Sequence, residues 1–151
     1  MVTKEQRGFE DLECYQLALQ VMQEAYRIAG GLPATEKYGL VSQMRRASIS
    51  VVLNIAEGYG RYHYLDSLRF YYIARGSLDE TLSAFIACDK LQYTQSELQK
   101  QRELCYSNLR SLNGFIRYIR KQQQGRKEYG DRAFQEDQAQ YDTVIQSLLD
   151  E

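Results

Sequence analysis

Proline is almost missing from this sequence. Pro33 is the only one in 151 residues, so no ring interrupts a helix from residue 34 onward. Long apolar runs are missing as well: nothing approaches the roughly 18 consecutive apolar residues of a membrane-spanning helix. The opening MVTKEQRGFEDLE has no apolar signal core, so secretion is not expected. A cytoplasmic protein with no membrane partner is the expectation. Cysteine is sparse and scattered at Cys14, Cys88 and Cys105, with no CxxC pair, and His63 is the single histidine. Such a set is poor in metal ligands; buried, reduced thiols fit it better. No Walker loop, GxGxxG, HExxH or GxSxG occurs, so no nucleotide, zinc or nucleophile-elbow chemistry is indicated. Gly58-Tyr59-Gly60 is too short to cradle phosphate. No enzymatic activity, cofactor or metal is expected. Strand alternation is also lacking, and the hairpin dipeptide Asn-Gly occurs only at Asn113-Gly114, inside a helical pattern.

What remains is helical periodicity in four long segments. The first spans about residues 10–29, with Leu12, Tyr15, Leu19, Met22, Tyr26 and Ala29 on one face and Gly30-Gly31-Leu32-Pro33 ending it. The second covers residues 38–61. The third runs from Asp66 to about Leu91, with Leu68, Tyr71, Leu78, Leu82 and Phe85 in its seam. Arg75 falls in that seam, and a buried Arg there requires a carboxylate partner. The fourth runs from about Gln95 to Gln122, with Ser96 as N-cap and Leu98, Leu109, Leu112, Phe115, Ile116 and Ile119 inside. Short connections between helices this long predict an all-α fold, an antiparallel up-down-up-down four-helix bundle over residues 1–123. Residues 124–134 read as a polar linker and 135–149 as a short amphipathic helix, so 124–151 form a C-terminal extension.

The second segment, YGLVSQMRRASISVVLNIAEGYGR, carries two stripes. Val41, Met44, Ser48, Val51, Ile55 and Tyr59 recur at helical spacing and form the core seam. Gln43, Arg46, Ser50, Asn54, Glu57 and Arg61 form a second, wholly polar row. An ordered row beside a core seam points to side chains held by hydrogen bonds within the bundle or between subunits; a solvated face is the plainer alternative. Glu57 and Arg61 are spaced for an intrahelical pair. The expected structural network is Arg46, Ser50, Asn54, Glu57, Arg61 and Arg75, with Glu57 and Asn54 satisfying Arg75 within or between subunits.

Charge is nearly balanced, 19 basic against 20 acidic residues, but unevenly placed. Residues 100–132 hold nine basic and three acidic side chains, whereas residues 133–151 hold five acidic and no basic ones. A basic block before an acidic end fits an anion-binding surface with a self-shielding tail, or contact between the two. Candidate nucleic-acid-binding residues follow in two groups. Arg61, Tyr62, His63 and Arg69 sit at the bend after the second helix, where Tyr and Arg suit stacking on bases and pairing with phosphate; the same types also suit protein interfaces. Arg117, Arg120, Lys121, Arg126 and Lys127 form the second group, several of them on one helical face; a solvated helix end favoured by the dipole is the alternative.

Several motifs extend these readings. Phe9-Glu10-Asp11-Leu12, Tyr38-Gly39-Leu40, Ser42-Gln43, Arg45-Arg46-Ala47, Asn54-Ile55-Ala56-Glu57-Gly58 with Arg61, and Ala74-Arg75-Gly76-Ser77-Leu78 with Glu80 occur in that order. Over roughly residues 8–121 the chain resembles the four-helix-bundle proteins encoded in intervening sequences of bacterial 23S ribosomal RNA genes. The resemblance implies a ring-like homopentamer. It also implies an architecture similar to the accessory protein of diversity-generating retroelements, a pentameric bundle that associates with a reverse transcriptase and with nucleic acid. The family brings no established enzymatic activity. The resulting expectation is a non-enzymatic homo-oligomer, a pentamer, that binds RNA, DNA or a nucleoprotein partner such as a reverse transcriptase; a protein-interaction scaffold is the rival. Five copies would multiply a weak basic patch by avidity.

Overall fold

A computed structural model describes residues 8–122. After a 3₁₀ turn at Gly8–Asp11 come four α-helices: α1 (Glu13–Gly30), α2 (Leu40–Gly60), α3 (Tyr64–Lys90) and α4 (Gln99–Gln122), with a second 3₁₀ turn, Ala34–Glu36, between α1 and α2. No strand occurs among the described residues. Each helix packs on the next in chain order and α4 closes back on α1, with the α2–α3 contact the most extensive. This is the up-down-up-down bundle anticipated from the periodicity. The proposed linker and helix of residues 124–151 lie outside the described residues.

The core follows the apolar stripes. Ala18, Val21 and Ala25 of α1 meet Met44, Val51 and Ile55 of α2, Tyr71, Leu78 and Phe85 of α3, and Cys105, Leu112 and Ile116 of α4. All three cysteines are buried and reduced. Burial pushes the Cys14 and Cys88 thiols up to about 11 and Cys105 to about 12. The expected α1 seam is displaced around the helix. The buried row is Cys14, Ala18, Val21, Ala25, Ile28 and Ala29, while Leu12, Tyr15, Leu19 and Met22 flank it partly buried and Tyr26 is exposed, because the small residues let the neighbouring helices approach on that side. In α2 Tyr59 is exposed, its ring beside Phe9.

Helix starts are set by contacts in the preceding turn or across the chain reversal. α1 begins at Glu13, later than expected, because Leu12 N–H bonds Phe9 O (3.1 Å) in the preceding 3₁₀ turn. The Glu36 carboxylate accepts the Leu40 N–H (2.9 Å) and so caps α2, while Tyr93 Oη donates to its other oxygen (2.8 Å). One side chain thus ties the α1–α2 connection to the α3–α4 connection. Both bonds favour the ionised form and hold Glu36 below the usual carboxylate range. At α4 the Ser96 cap does not form. The helix starts at Gln99, and Asp89 at the end of α3 accepts the Leu98 N–H (2.8 Å) and pairs with Arg102 (3.3 Å). A carboxylate brought in by the chain reversal replaces the local hydroxyl.

Two close approaches fix helix packing. Gly58 abuts the buried Tyr71 ring and the Ser67 carbonyl; a Cβ there would lie 2.6 Å from Tyr71 Cε1. Asn108 of α4 is fully buried. With its amide oriented by its neighbours, Nδ2 donates to Cys14 O (3.0 Å) and Oδ1 accepts from Ala18 N–H (3.1 Å). It thereby inserts into the backbone ladder of α1 and locks α1 to α4.

Candidate nucleic-acid interface

The polar row of α2 lies along the outer edge of the α2–α3 contact. Arg46 bonds Gln43 (2.7 Å) and pairs with Glu80 of α3. Ser50 Oγ bonds Ser77 Oγ of α3 (2.9 Å), and Asn54 Nδ2 donates to the Ser50 carbonyl (2.8 Å) and hydroxyl (3.0 Å). Glu57 and Arg61 pair at 2.6 Å, and the Arg61 guanidinium also covers the Phe70 ring at 4.7 Å. Exposed pairs of this kind add little net stability, but the ladder sets α2 against α3 in one register. Beside it stand Leu53 and Ile73, both exposed, and Gly76, whose missing Cβ would meet nothing within 4 Å.

Arg75 belongs elsewhere. Residues two apart are about 200° apart around a helix, so Arg75 and Ser77 face opposite flanks of α3. Within the chain Arg75 does not reach Asn54 or Glu57. It donates to Asn113 Oδ1 of α4 (3.3 Å) and its guanidinium covers the Tyr72 ring at 4.8 Å. The expected carboxylate partner is replaced by an amide and a ring, which suffices because Arg75 is half-buried and keeps some water.

Arg120 of α4 approaches the same tyrosine, donating to Tyr72 Oη (3.3 Å). Both guanidinium groups are therefore oriented by neutral partners that leave their charge intact. Arg117 lies on the same face of α4 as Asn113 and Arg120, at i+4 and i+7 spacing. Arg69 precedes Tyr72 by three residues on α3. Arg69, Arg75, Arg117, Arg120 and Lys121 form no ion pair among the described residues. By contrast Arg27, Arg46, Arg61 and Arg102 are each paired with a carboxylate. The α3–α4 seam toward the end of α4 thus gathers basic side chains that form no ion pair among the described residues, with Asp66 one turn from Arg69 and Asp79 one turn from Arg75 along α3.

The sequence-derived candidates divide accordingly. Arg69, Arg117, Arg120 and Lys121 gather at this end of the bundle. Arg61 is drawn to the α2–α3 side by Glu57. Tyr62 is exposed and its ring meets His63 edge-on at 5.1 Å; His63 is half-buried before α3. Arg126 and Lys127 lie outside the described residues. Tyr72 and Asn113, which orient the arginines, were not among the candidate site residues; the sequence pattern placed Tyr72 in the apolar seam of the third helix and Asn113 in a helical stretch. Their signal is present: Tyr72–Arg75 at i+3 on one helix and Asn113, Arg117 and Arg120 on the other. Among the described residues no cluster of His, Cys, Asp and Glu forms a metal site, and no helix is long and apolar enough to cross a membrane.

No curated protein is detectably similar to the chain. The family model described as 23S rRNA-intervening sequence protein matches residues 10–114, which takes in α1, α2, α3 and most of α4 and every motif noted above except Phe9. With that match on a four-helix bundle, the chain belongs to the 23S rRNA-intervening sequence protein family.

Proposed function

We propose that this protein is a non-enzymatic, self-associating helical bundle that binds nucleic acid along the α3–α4 seam. The observation that carries the reading is the absence of carboxylate partners, among the described residues, for Arg69, Arg75, Arg117, Arg120 and Lys121. Cations held by neutral groups are prepared for phosphate, since no internal ion pair must be broken on binding. Self-association is assigned to the outer α2–α3 face, where Leu53 and Ile73 are exposed in mid-helix and Gly76 leaves room for another backbone. A pentamer, as the family resemblance implies, would present five copies of the basic seam. The cytoplasm is the proposed location, and a nucleoprotein such as a reverse transcriptase complex fits the same surface.

A protein-interaction scaffold without nucleic acid is the second reading, favoured by the same exposed Leu53 and Ile73. Salt separates the two. Binding to a labelled oligonucleotide should weaken steeply with salt, and changing Arg117, Arg120 and Lys121 together to Ala should lower the log–log salt slope by roughly 2. Native mass should be unchanged in that variant, whereas Ile73→Asp should reduce it. Salt-insensitive binding, or full retention by the triple variant, refutes the phosphate-contact reading.

A further inference from the structure

Resting on that reading, we propose that the bound nucleic acid is single-stranded and winds across the exposed surface of α4, its bases stacking on Tyr106 and Tyr118 beside the phosphate-binding arginines. Four observations support this. First, from Leu104 to Gln122 the helix carries Arg110, Arg117, Arg120 and Lys121 and no acidic residue. A strand tracking this part of the helix therefore meets no carboxylate of α4, the exposed Glu103 lying just before it. Second, Tyr106 and Tyr118 are both exposed, at 37% and 53%. Arg110 and Arg117 lie between them and Arg120 and Lys121 just beyond. The two rings are about 18 Å apart along the axis at 1.5 Å per residue and about 120° apart around it, so a strand of several nucleotides reaches both by winding across the helix.

Third, the Tyr118 ring has an aromatic neighbour. It lies nearly parallel to Phe115, with centroids 6.5 Å apart and 17° between planes, and Phe115 is itself packed edge-on against the fully buried Tyr71 at 5.0 Å. An aromatic ring that is more than half exposed is thus linked through Phe115 to the core, next to Arg117 in sequence and one turn before Lys121. Fourth, Arg110 bonds only Ser107 Oγ (3.1 Å) among the described residues. Like Arg75 and Arg120, it forms no ion pair among the described residues. Aromatic rings interleaved with cations select unpaired bases, because a base within a duplex is already stacked on both faces and offers no π-surface. A duplex would meet the same arginines and gain nothing from the tyrosines.

The test uses the full-length protein with fluorescein-labelled single-stranded RNA, single-stranded DNA and a blunt RNA duplex of matched length, read by anisotropy at low and moderate salt. Both single strands should bind more tightly than the duplex. Tyr118→Leu and Tyr106→Leu, which keep apolar bulk on an exposed surface, should each weaken single-strand binding by about tenfold and leave duplex binding unchanged. Tyr118→Phe should bind like the native protein, because stacking needs the ring and not the hydroxyl. Duplex binding as tight as single-strand binding, or Leu variants that bind like the native protein, overturns this inference while leaving nucleic-acid binding intact. Failure of every probe at low salt overturns the functional reading beneath it as well.

Discussion

Gly58→Ala and Gly76→Ala are the same chemical change in two helices, and the structure gives them opposite signs. In an unobstructed helix, replacing Gly by Ala stabilises by about 1 kcal/mol. At Gly76 an added Cβ meets nothing within 4 Å, so nearly all of that gain should appear in the isolated fold. At Gly58 the new atom would lie 2.6 and 2.9 Å from two carbons of the Tyr71 ring and 3.0 Å from the Ser67 carbonyl oxygen. Tyr71 is 1% exposed and has no room to swing away, and the carbonyl is backbone. Overpacking of this type costs roughly 1–3 kcal/mol, and contact with both a ring and a backbone argues for the upper end. The net expectation is a loss of about 1–2 kcal/mol for Gly58→Ala and a gain of about 0.5–1 kcal/mol for Gly76→Ala. Urea denaturation followed by circular dichroism should resolve the pair. Repeating it at tenfold lower protein concentration separates fold stability from self-association. If Gly76 lies at a subunit contact, its variant should gain stability as a chain and lose assembled mass. A Gly58→Ala protein as stable as Gly76→Ala would refute the packing account of the Asn-Ile-Ala-Glu-Gly motif.

Three further outcomes follow. Asn108→Asp should destabilise more than Asn108→Leu in thermal melts, since a buried carboxylate has no proton for Cys14 O and carries charge, whereas the α1 backbone can re-close its own bond across Leu. Acid should weaken the fold through Glu24 and Glu36. Arg27 and then Gln101 hold Glu24 below its usual value of 4.5, and the Leu40 N–H and then Tyr93 hold Glu36 below it; depressed carboxylates stabilise above that value and lose the contribution as pH falls through the lower folded-state one. The Glu36→Gln protein should accordingly show a shallower loss between neutral pH and about pH 3. Finally, a thiol reagent at pH 8 should leave Cys14, Cys88 and Cys105 unmodified in the native protein and titrate all three in denaturant, because the thiols are buried and shifted to about 11, 11 and 12. Rapid native labelling would contradict the packed core.

The sequence by itself determined the elements. The apolar repeats of α1 to α4, the breaks at Gly30-Gly31 and Gly58–Gly60, and the scarcity of proline specify four helices whose stripes have one common solution, a bundle. It also marked the polar row of α2 as either hydrogen-bonded or solvated; in the structure Ser50 and Asn54 are bonded and part-buried, whereas Arg46, Glu57 and Arg61 are paired at the exposed surface. Tertiary structure decided who those partners are. Helical periodicity gives each residue an angle around its own axis and nothing about the neighbour across the groove. So Arg75, two residues before the α2-facing Ser77, turned to α4 and met Asn113 and Tyr72. Asp89 displaced Ser96 at the start of α4 because the chain reversal brought a carboxylate to an N–H nine residues away. Asn108 found its bonds in the backbone of α1, a ladder that no side-chain pattern records. Local phase is written in one helix; register, and with it the distinction between a paired and an unpaired arginine, exists only when two helices meet.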